Sequence, residues 1–334
     1  MKNSSCETFL PILSLQRLKE RAAVMRRIRD YFESRGFLEV ETPILSRDTV
    51  VDRYLEPFEV FDDGAGCLYY LQTSPEFAMK RLLAAGATAL FQTAHVFRKG
   101  DCGQTHNPEF TMLEWYRAGE NYETGVAFLS DFINAILQRG RAKVVTLREL
   151  FDEYLRLNPH TVSCRELREI AQNKQISFPD SFRTEEESRG DWVDLIFSEI
   201  IQPRLGLCEP TIITDYLASQ SQLAKTRTVF GDAKTNGSFQ VSERFELFVD
   251  GLELANGYHE LLDADVLSDR IRKTNALRAA DGKKMLPEES QLLEAMRRGL
   301  PACSGCALGI DRLLMVFFGV KNIADVMPFD WNTA

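Results

Sequence analysis

The most constraining stretch of the chain is Glu243-Arg-Phe-Glu-Leu-Phe-Val-Asp-Gly-Leu-Glu-Leu-Ala-Asn-Gly-Tyr-His-Glu260, two alternating runs with Asp250-Gly251 between them. Asp-Gly supplies two residues that tolerate positive φ, so the segment predicts a tight two-residue hairpin. That turn sets Val249 opposite Leu252, Phe248 opposite Glu253 and Glu246 opposite Ala255. Phe245, Leu247, Val249, Leu252 and Leu254 then share an apolar face. Glu246 and Glu253 project from the other face as diagonal neighbours, roughly 7–8 Å apart at the backbone. Two such carboxylates can simply be a solvated outer face. Asn256 and Glu260 add oxygen acceptors nearby without balancing lysines, and this donor set suits Mg2+ carrying phosphates.

The rest of the chain supplies helices and more strands. Leu15, Leu18, Ala22, Met25, Ile28 and Phe32 recur at helical spacing until Gly36 stops the pattern. Strand-like runs are Leu68–Gln72, Ala89–Phe97, Phe110–Tyr116, Thr211–Thr214, Arg244–Val249, Leu252–Asn256 and Cys303–Ile310. Helices are predicted near Pro75–Ala85, Tyr122–Gln138, Trp192–Ile201, Leu267–Ala280, Pro287–Arg298 and Arg312–Phe318. The strands cluster at hairpin spacing, without strict β-α-β alternation. The expected fold class is therefore α+β, a largely antiparallel sheet flanked by helices. Thr161–Gly190 is polar and acidic, with Glu185-Glu186-Glu187, and is expected to form a surface insertion or small helical module at about 160–190. No Pro/Gly/Ser linker divides the chain, so one domain is expected.

Composition excludes several classes. At 334 residues the chain can bury a core without disulfide or metal staples. Its apolar runs are too short for a membrane span and its start does not read as a signal peptide, so a cytoplasmic protein with no membrane partner is expected. Forty Lys+Arg against forty-nine Asp+Glu give a net charge of −9, and no basic block supplies a nucleic-acid tail. DNA binding is excluded and tRNA binding disfavoured, although a local basic groove can coexist with an acidic whole. Seven scattered cysteines fit a reducing compartment. Cys303-Ser-Gly-Cys306 opens an apolar strand, where residues three apart face opposite sides about 10 Å apart, beyond disulfide reach. There is no P-loop and no dinucleotide-binding glycine turn, and His95, His106, His160 and His259 have no zinc-ligand spacing.

Two further segments carry chemistry. Phe97-Arg-Lys-Gly-Asp-Cys-Gly-Gln-Thr-His-Asn-Pro-Glu-Phe-Thr-Met-Leu-Glu-Trp-Tyr-Arg117 reads as strand, glycine-containing loop, strand, with Arg98 at the loop entrance and His106 and Asn107 at its exit. Arginine offers a planar fork for phosphate or carboxylate, and Phe110 can stack a purine or simply fill a core. Ala307-Leu-Gly-Ile-Asp-Arg312 passes from strand into helix. Gly309 permits close backbone approach, and Arg312 in a first helical turn opposes the helix dipole unless an anion or an acidic side chain faces it.

These three segments, with Gly36-Phe-Leu-Glu-Val-Glu-Thr-Pro43, resemble the signature motifs of class II aminoacyl-tRNA synthetases. His106-Asn-Pro-Glu-Phe-Thr-Met-Leu-Glu-Trp-Tyr116 and Glu253-Leu-Ala-Asn-Gly-Tyr-His-Glu260 are similar to the lysyl branch, over about residues 15–330. The first motif begins at residue 36, so no N-terminal OB-fold anticodon domain is expected. That feature and Cys303-Ser-Gly-Cys-Ala-Leu-Gly-Ile-Asp-Arg312 resemble the stand-alone lysyl-tRNA synthetase paralogues that attach (R)-β-lysine to a lysine of elongation factor P.

The resemblance implies a six-stranded antiparallel sheet, a homodimer formed through the first motif, ATP and Mg2+ as cofactors, and adenylation of (R)-β-lysine or lysine before transfer to elongation factor P. It implies that Arg98 holds the α-phosphate and substrate carboxylate, that His106 and Arg312 hold the outer phosphates, and that Phe110 covers the adenine. Arg98 and Arg312 are the expected catalytic pair. Glu246 and Glu253 are the expected metal ligands, and Lys99, Gly100, Asn107, Leu254 and Gly309 line the nucleotide site. Ser74, Pro75, Glu76, Tyr116, Asn256 and Glu260 line the amino-acid pocket, with Glu76 and Glu260 facing its two amines. Ala307 stands where lysyl-tRNA synthetases have glycine, and its methyl would crowd the α-amine of ordinary lysine. Where the family usually has Asn-Glu after the arginine, this chain has Lys99-Gly100-Asp101. Asp101 reaches in, or the backbone at Gly100 suffices, or adenine recognition is weakened. The alternatives are a truncated synthetase acting on tRNA or a small molecule, and a catalytically silent amino-acid-sensing paralogue.

Overall fold

The computed structural model describes residues 9–179, 182, 188–230 and 237–334. In chain order the elements are α1 (Leu15–Glu33), β1 (Leu38–Glu39), β2 (Leu45–Ser46), β3 (Glu59–Asp62), β4 (Cys67–Leu71), α2 (Glu76–Ala84), β5 (Ala89–Phe97), β6 (Glu109–Ala118), α3 (Tyr122–Leu137), β7 (Lys143–Thr146), α4 (Leu147–Leu155), α5 (Cys164–Asn173), α6 (Arg189–Ile196), β8 (Thr211–Leu217), β9 (Thr226–Phe230), β10 (Ser238–Val249), β11 (Leu252–His259), α7 (Ala264–Ala280), α8 (Gln291–Arg298), β12 (Cys303–Gly309) and α9 (Ile310–Phe318). They fall into two compact units. The first comprises Met1–Ala118, Asp263–Pro301 and Ala307–Ala334; the second comprises Gly119–Leu262 and Ala302–Cys306. Among the described residues, no helix is long and apolar enough to cross a membrane.

In the first unit, Ser14 caps α1 by accepting from the Arg17 amide at 3.2 Å. The helix buries Val24, Ile28, Tyr31 and Phe32, and Gly36, at φ +79°, turns the chain away from its end. Phe32 stacks on Phe91 with ring centroids 4.9 Å apart and meets Phe37 edge-on at 5.1 Å, which fastens α1 to β5. β5 pairs with β1 on one side and with β6 on the other, and β2, β4 and β3 make a separate small sheet.

In the second unit, β10 pairs with both β11 and β8, β7 runs beside β8, and β9 lies on β10. Asp250 and Gly251 have φ +52° and +76°, the two positive values of a type I′ hairpin, as the Asp-Gly pair predicts. A second core lies around the fully buried Trp192, whose ring meets Phe178 and Phe182 edge-on at 4.9 and 5.1 Å. The described part of Thr161–Gly190 builds α5 and gives Val162, Cys164, Leu167 and Ala171 to that core. The acidic triplet Glu185-Glu186-Glu187 lies outside the described residues.

Two expectations are corrected. The expected six-stranded antiparallel sheet gives way to mixed pairing in each unit: among the described residues, β1 runs parallel to β5 in the first and β7 parallel to β8 in the second. Each parallel pair is separated in sequence by a long connection containing helix, and such a crossover is what parallel pairing requires. The β10–β11 register follows the turn for two pairs and then slips: Leu247 faces Ala255 and Glu246 faces Asn256, not Ala255. Leu254 is the extra residue of a β-bulge, and it is buried. Cys303 and Cys306 are buried thiols in β12, as strand geometry predicts.

Candidate active site

In the first unit, β6 and the entrance to α2 build a buried polar pocket. Ser74 accepts from the Glu76 amide at 2.9 Å, and Pro75 occupies the helix N-cap position. The Ser74 hydroxyl also donates to Glu114 Oε2 at 2.8 Å, and the Tyr116 hydroxyl donates to Glu114 Oε1. One helical turn after Glu76, Lys80 Nζ donates to Glu76 Oε1 at 2.5 Å and lies 5.7 Å from the Tyr116 ring centroid. The Lys80 side chain is 1% exposed and that of Glu76 10%, so this ion pair is shielded from water. Burial first, and then the negative charge of Glu76, push the Glu114 carboxyl up to about 8 against the pull of Tyr116, Ser74 and Lys80.

The expected pocket residues Ser74, Glu76 and Tyr116 are thus brought together by two residues that sequence reasoning missed, Glu114 and Lys80. Both carried a signal. Glu114 is a lone acid inside Met-Leu-Glu-Trp-Tyr, and Lys80 stands four residues after an acid on a helix.

The loop between β5 and β6 carries the cationic residues. The Arg98 amide donates to Pro108 O at 2.8 Å, and the Asp101 amide to Arg98 O at 3.3 Å, closing a β-turn. Gly100, third in that turn, has φ +89°, the value that demands glycine in a type II turn. Lys99-Gly100 is therefore turn chemistry: both residues are exposed, and the Lys99 amide donates to Glu56 O at 2.8 Å. The Arg98 guanidinium lies 5.1 Å from the Phe110 ring centroid.

Arg312 Nη2 and His106 Nε2 are 2.6 Å apart, and Arg312 Nε donates to Thr105 O at 3.2 Å. A neutral imidazole accepting from arginine keeps its proton on Nδ1, which faces Thr105 Oγ1 at 3.2 Å. The position of Arg312 follows from its neighbour. Asp311 is buried, accepts from Arg21 Nη1 at 2.8 Å and from the Thr111 amide at 2.7 Å, and so fixes the entry to α9. A Cβ built on Gly309 would meet nothing nearer than the Arg312 side chain at 3.8 Å, which leaves that side of the backbone open. Asn107 is buried and ties two backbone segments together, donating to Glu109 O at 2.6 Å and accepting from the Trp331 amide at 2.9 Å. Ala307 lies in β12, half-buried.

In the second unit, the bulge at Leu254 sets Glu246 beside Asn256. Arg244 Nη2 donates to Glu246 Oε1, and Arg244 Nε donates to Asn256 Oδ1 at 3.2 Å. The Tyr216 hydroxyl donates to Glu246 Oε2 at 2.6 Å. Burial pushes the Glu246 carboxyl up to about 7; the Arg244 charge opposes this and the Glu253 charge adds to it. Arg244 and Tyr216 are further residues that sequence reasoning missed. Gly257 allows the strand to pack: a Cβ there would fall 2.3 Å from the Phe245 ring and 2.9 Å from Gly305 O. Glu260 is buried at the end of this strand, its amide donating to Cys303 O at 3.0 Å.

Known proteins match this chain throughout its length. The family described as tRNA synthetases class II (D, K and N) matches residues 13–333. The elongation factor P–(R)-β-lysine ligases of Salmonella arizonae, Salmonella heidelberg and Salmonella agona are each 40% identical to it over 335 aligned residues, covering 99% of this chain and 100% of theirs. The chain therefore belongs to the class II (D, K and N) tRNA synthetase family and, within it, to the family of these full-length ligase relatives.

Proposed function

We propose that the protein is an ATP-dependent, AMP-forming ligase that adenylates (R)-β-lysine, or lysine, and transfers it to a lysine side chain of elongation factor P. The observation that carries this reading is the buried cluster in the first unit, where Lys80 pairs with Glu76 while the carboxyl of Glu114 is held by Ser74 and Tyr116 and pushed up by burial and by Glu76. A carboxyl held protonated beside a compensated ion pair can ionise when an ammonium enters, which suits an amino acid that brings an additional amine; a monoamino acid leaves that carboxyl without a charged partner. The 40% identity to full-length ligases so named supports the same acceptor.

Chemically, a substrate carboxylate oxygen attacks the α-phosphorus of ATP and pyrophosphate leaves. The ε-amine of the acceptor lysine then attacks the activated carbonyl, an amide forms, and AMP leaves with its oxygen. Alignment and cationic groups suffice for such steps, without a protein nucleophile. Arg98 would bind the α-phosphate and carboxylate, His106 and Arg312 the outer phosphates, and Phe110 the adenine. Ser74, Pro75, Glu76, Tyr116, Asn256 and Glu260, with Glu114 added, would line the amino-acid pocket, and Ala307 would set the choice between α- and β-amine.

The donor set suits Mg2+, because burial, with the charge of Glu253 adding to it, pushes Glu246 up, and a cation shared by the two carboxylates would offset both effects. Glu246 and Glu253 would hold it, and it would supply charge neutralisation on the phosphates. We further propose that residues 15–330 act as one catalytic domain, in a cytoplasmic homodimer that does not act on tRNA.

Pyrophosphate exchange with a panel of amino acids tests the activation step, with strongest exchange expected for β-lysine. Incubation with labelled amino acid, elongation factor P and tRNA tests the acceptor. Label on elongation factor P is expected; label on tRNA, or exchange with no amino acid, would overturn the proposal.

A further inference from the structure

We propose that Arg244 is a positioning residue that couples the carboxylate side of the site to the amino-acid side, holding Glu246 and Asn256 with one guanidinium. The inference rests on the functional reading above, which gives Glu246 to the metal and Asn256 to the amino acid. Three observations within the second unit carry it.

The bulge at Leu254 is what puts Glu246 opposite Asn256; the regular register would put Ala255 there. Arg244, two residues before Glu246 on the same strand, reaches both: Nη2 donates to the carboxylate and Nε to the Asn256 amide oxygen at 3.2 Å. Its third direction is also used, with Nη1 donating to Gln220 O at 3.2 Å, and the guanidinium lies 4.9 Å from the Tyr216 ring centroid. A planar fork held at three edges and on one face has little rotational freedom left.

The consequences for the two ends differ. At Glu246, Arg244 and the Tyr216 hydroxyl occupy one oxygen each, which fixes the plane of the carboxylate and leaves further lone pairs on both oxygens. At Asn256, donation from Arg244 settles the amide orientation. Oδ1 must face the guanidinium, so Nδ2 faces the Tyr258 hydroxyl, 3.1 Å away, and that hydroxyl donates to Gln222. The backbone of Arg244 is anchored as well. The Tyr122 hydroxyl donates to Arg244 O at 2.9 Å and accepts from the Asp215 amide at 3.0 Å, bridging the irregularity between the Ser242–Tyr216 and Phe245–Thr214 pairs. Tyr216 therefore supports the carboxylate alone, whereas Arg244 supports the carboxylate and the amide together.

That asymmetry gives the test. Arg244→Lys keeps the charge but replaces the fork by a single ammonium, and Tyr216→Phe removes one hydroxyl. Mn2+ binding is measured by electron paramagnetic resonance with a non-hydrolysable ATP analogue, and binding of the diamino acid by titration calorimetry. For Arg244→Lys both dissociation constants should rise, each about tenfold, the scale of one charge-assisted hydrogen bond. For Tyr216→Phe only the Mn2+ constant should rise. Unchanged constants in Arg244→Lys, or an equal rise of both in Tyr216→Phe, overturn the coupling. Should Arg244→Lys fail to fold, Arg244→Gln, which keeps a planar donor but drops the charge, decides instead: a rise of both constants supports the clamp, and a rise of one alone or of neither refutes it. A wild-type enzyme that binds no diamino acid overturns the functional reading and this inference together, whereas wild-type binding with unaltered variants overturns the inference only.

Discussion

Replacing Glu114 by glutamine isolates the one titration that the first unit's pocket imposes on ligand binding. A carboxyl at about 8 is roughly 1% ionised at pH 6 and half ionised at pH 8. A ligand ammonium that needs the charged form should therefore bind roughly fiftyfold more tightly at pH 8 than at pH 6, since the ε-ammonium of the ligand stays protonated throughout this window. In Glu114→Gln the new side chain would keep an acceptor for Ser74 and offer an amide to Tyr116, but it cannot ionise. Calorimetric titration of the wild type with β-lysine should show the rise in affinity with pH, and Glu114→Gln should bind weakly with no such rise.

Stability gives an independent reading with its own sign. The native carboxyl holds its proton more tightly than the unfolded one, so its favourable contribution is complete below about 4.5 and is lost as pH rises through about 8. The melting temperature of Glu114→Gln should thus match that of the wild type near pH 4.5 and exceed it near pH 8.5. A melting difference that does not change with pH, or wild-type affinity that is flat from pH 6 to 8, would refute the argument.

Other substitutions probe separate parts of the site. Lys80→Met removes the ammonium that pairs with Glu76 and leaves a buried carboxylate, so urea denaturation should show a loss of about 3–5 kcal/mol, partly restored by adding Glu76→Gln. Gly257→Ala should cost about 1–3 kcal/mol in the same assay, because its methyl would sit 2.3 Å from the Phe245 ring with Gly305 O behind it. Glu253→Gln should abolish most pyrophosphate exchange while leaving the melting temperature within a few degrees of wild type; full activity would remove Glu253 from the metal site.

The sequence was most legible where local chemistry and burial agree. Asp250-Gly251 predicts its type I′ turn because both residues tolerate the positive φ that the turn requires. The bulge just beyond the turn was not legible, since the alternation of Glu246 to Glu253 is equally consistent with a regular ladder; the extra residue, Leu254, is chosen by packing on both faces of the strand. At the starts of α4 and α5, Thr146-Leu-Arg-Glu149 and Ser163-Cys-Arg-Glu166 spell capping boxes that the structure forms, with Thr146 and Ser163 accepting from the amides of Glu149 and Glu166. The short edge strands β7 and β9 offer too few residues for a period to be read.

The residues that escaped sequence reasoning share one property that bears on function: each is a buried or half-buried polar group whose partner is itself a site residue. Glu114 is held by Ser74 and Tyr116, Lys80 by Glu76, and Arg244 by Glu246 and Asn256. In each unit the protein's own cation is outnumbered. Lys80 stands against Glu76 and Glu114, and Arg244 against Glu246 and Glu253; burial first, with the neighbouring carboxylate adding to it, raises one carboxyl of each cluster well above its ordinary range. A cluster of this kind is destabilising without further positive charge, and less so once a cation enters. On the proposed function, the substrate's amines and Mg2+ would have the sign and hardness to neutralise those two clusters separately, so protonation of each cluster should fall when its own cation is supplied and not when the other's is.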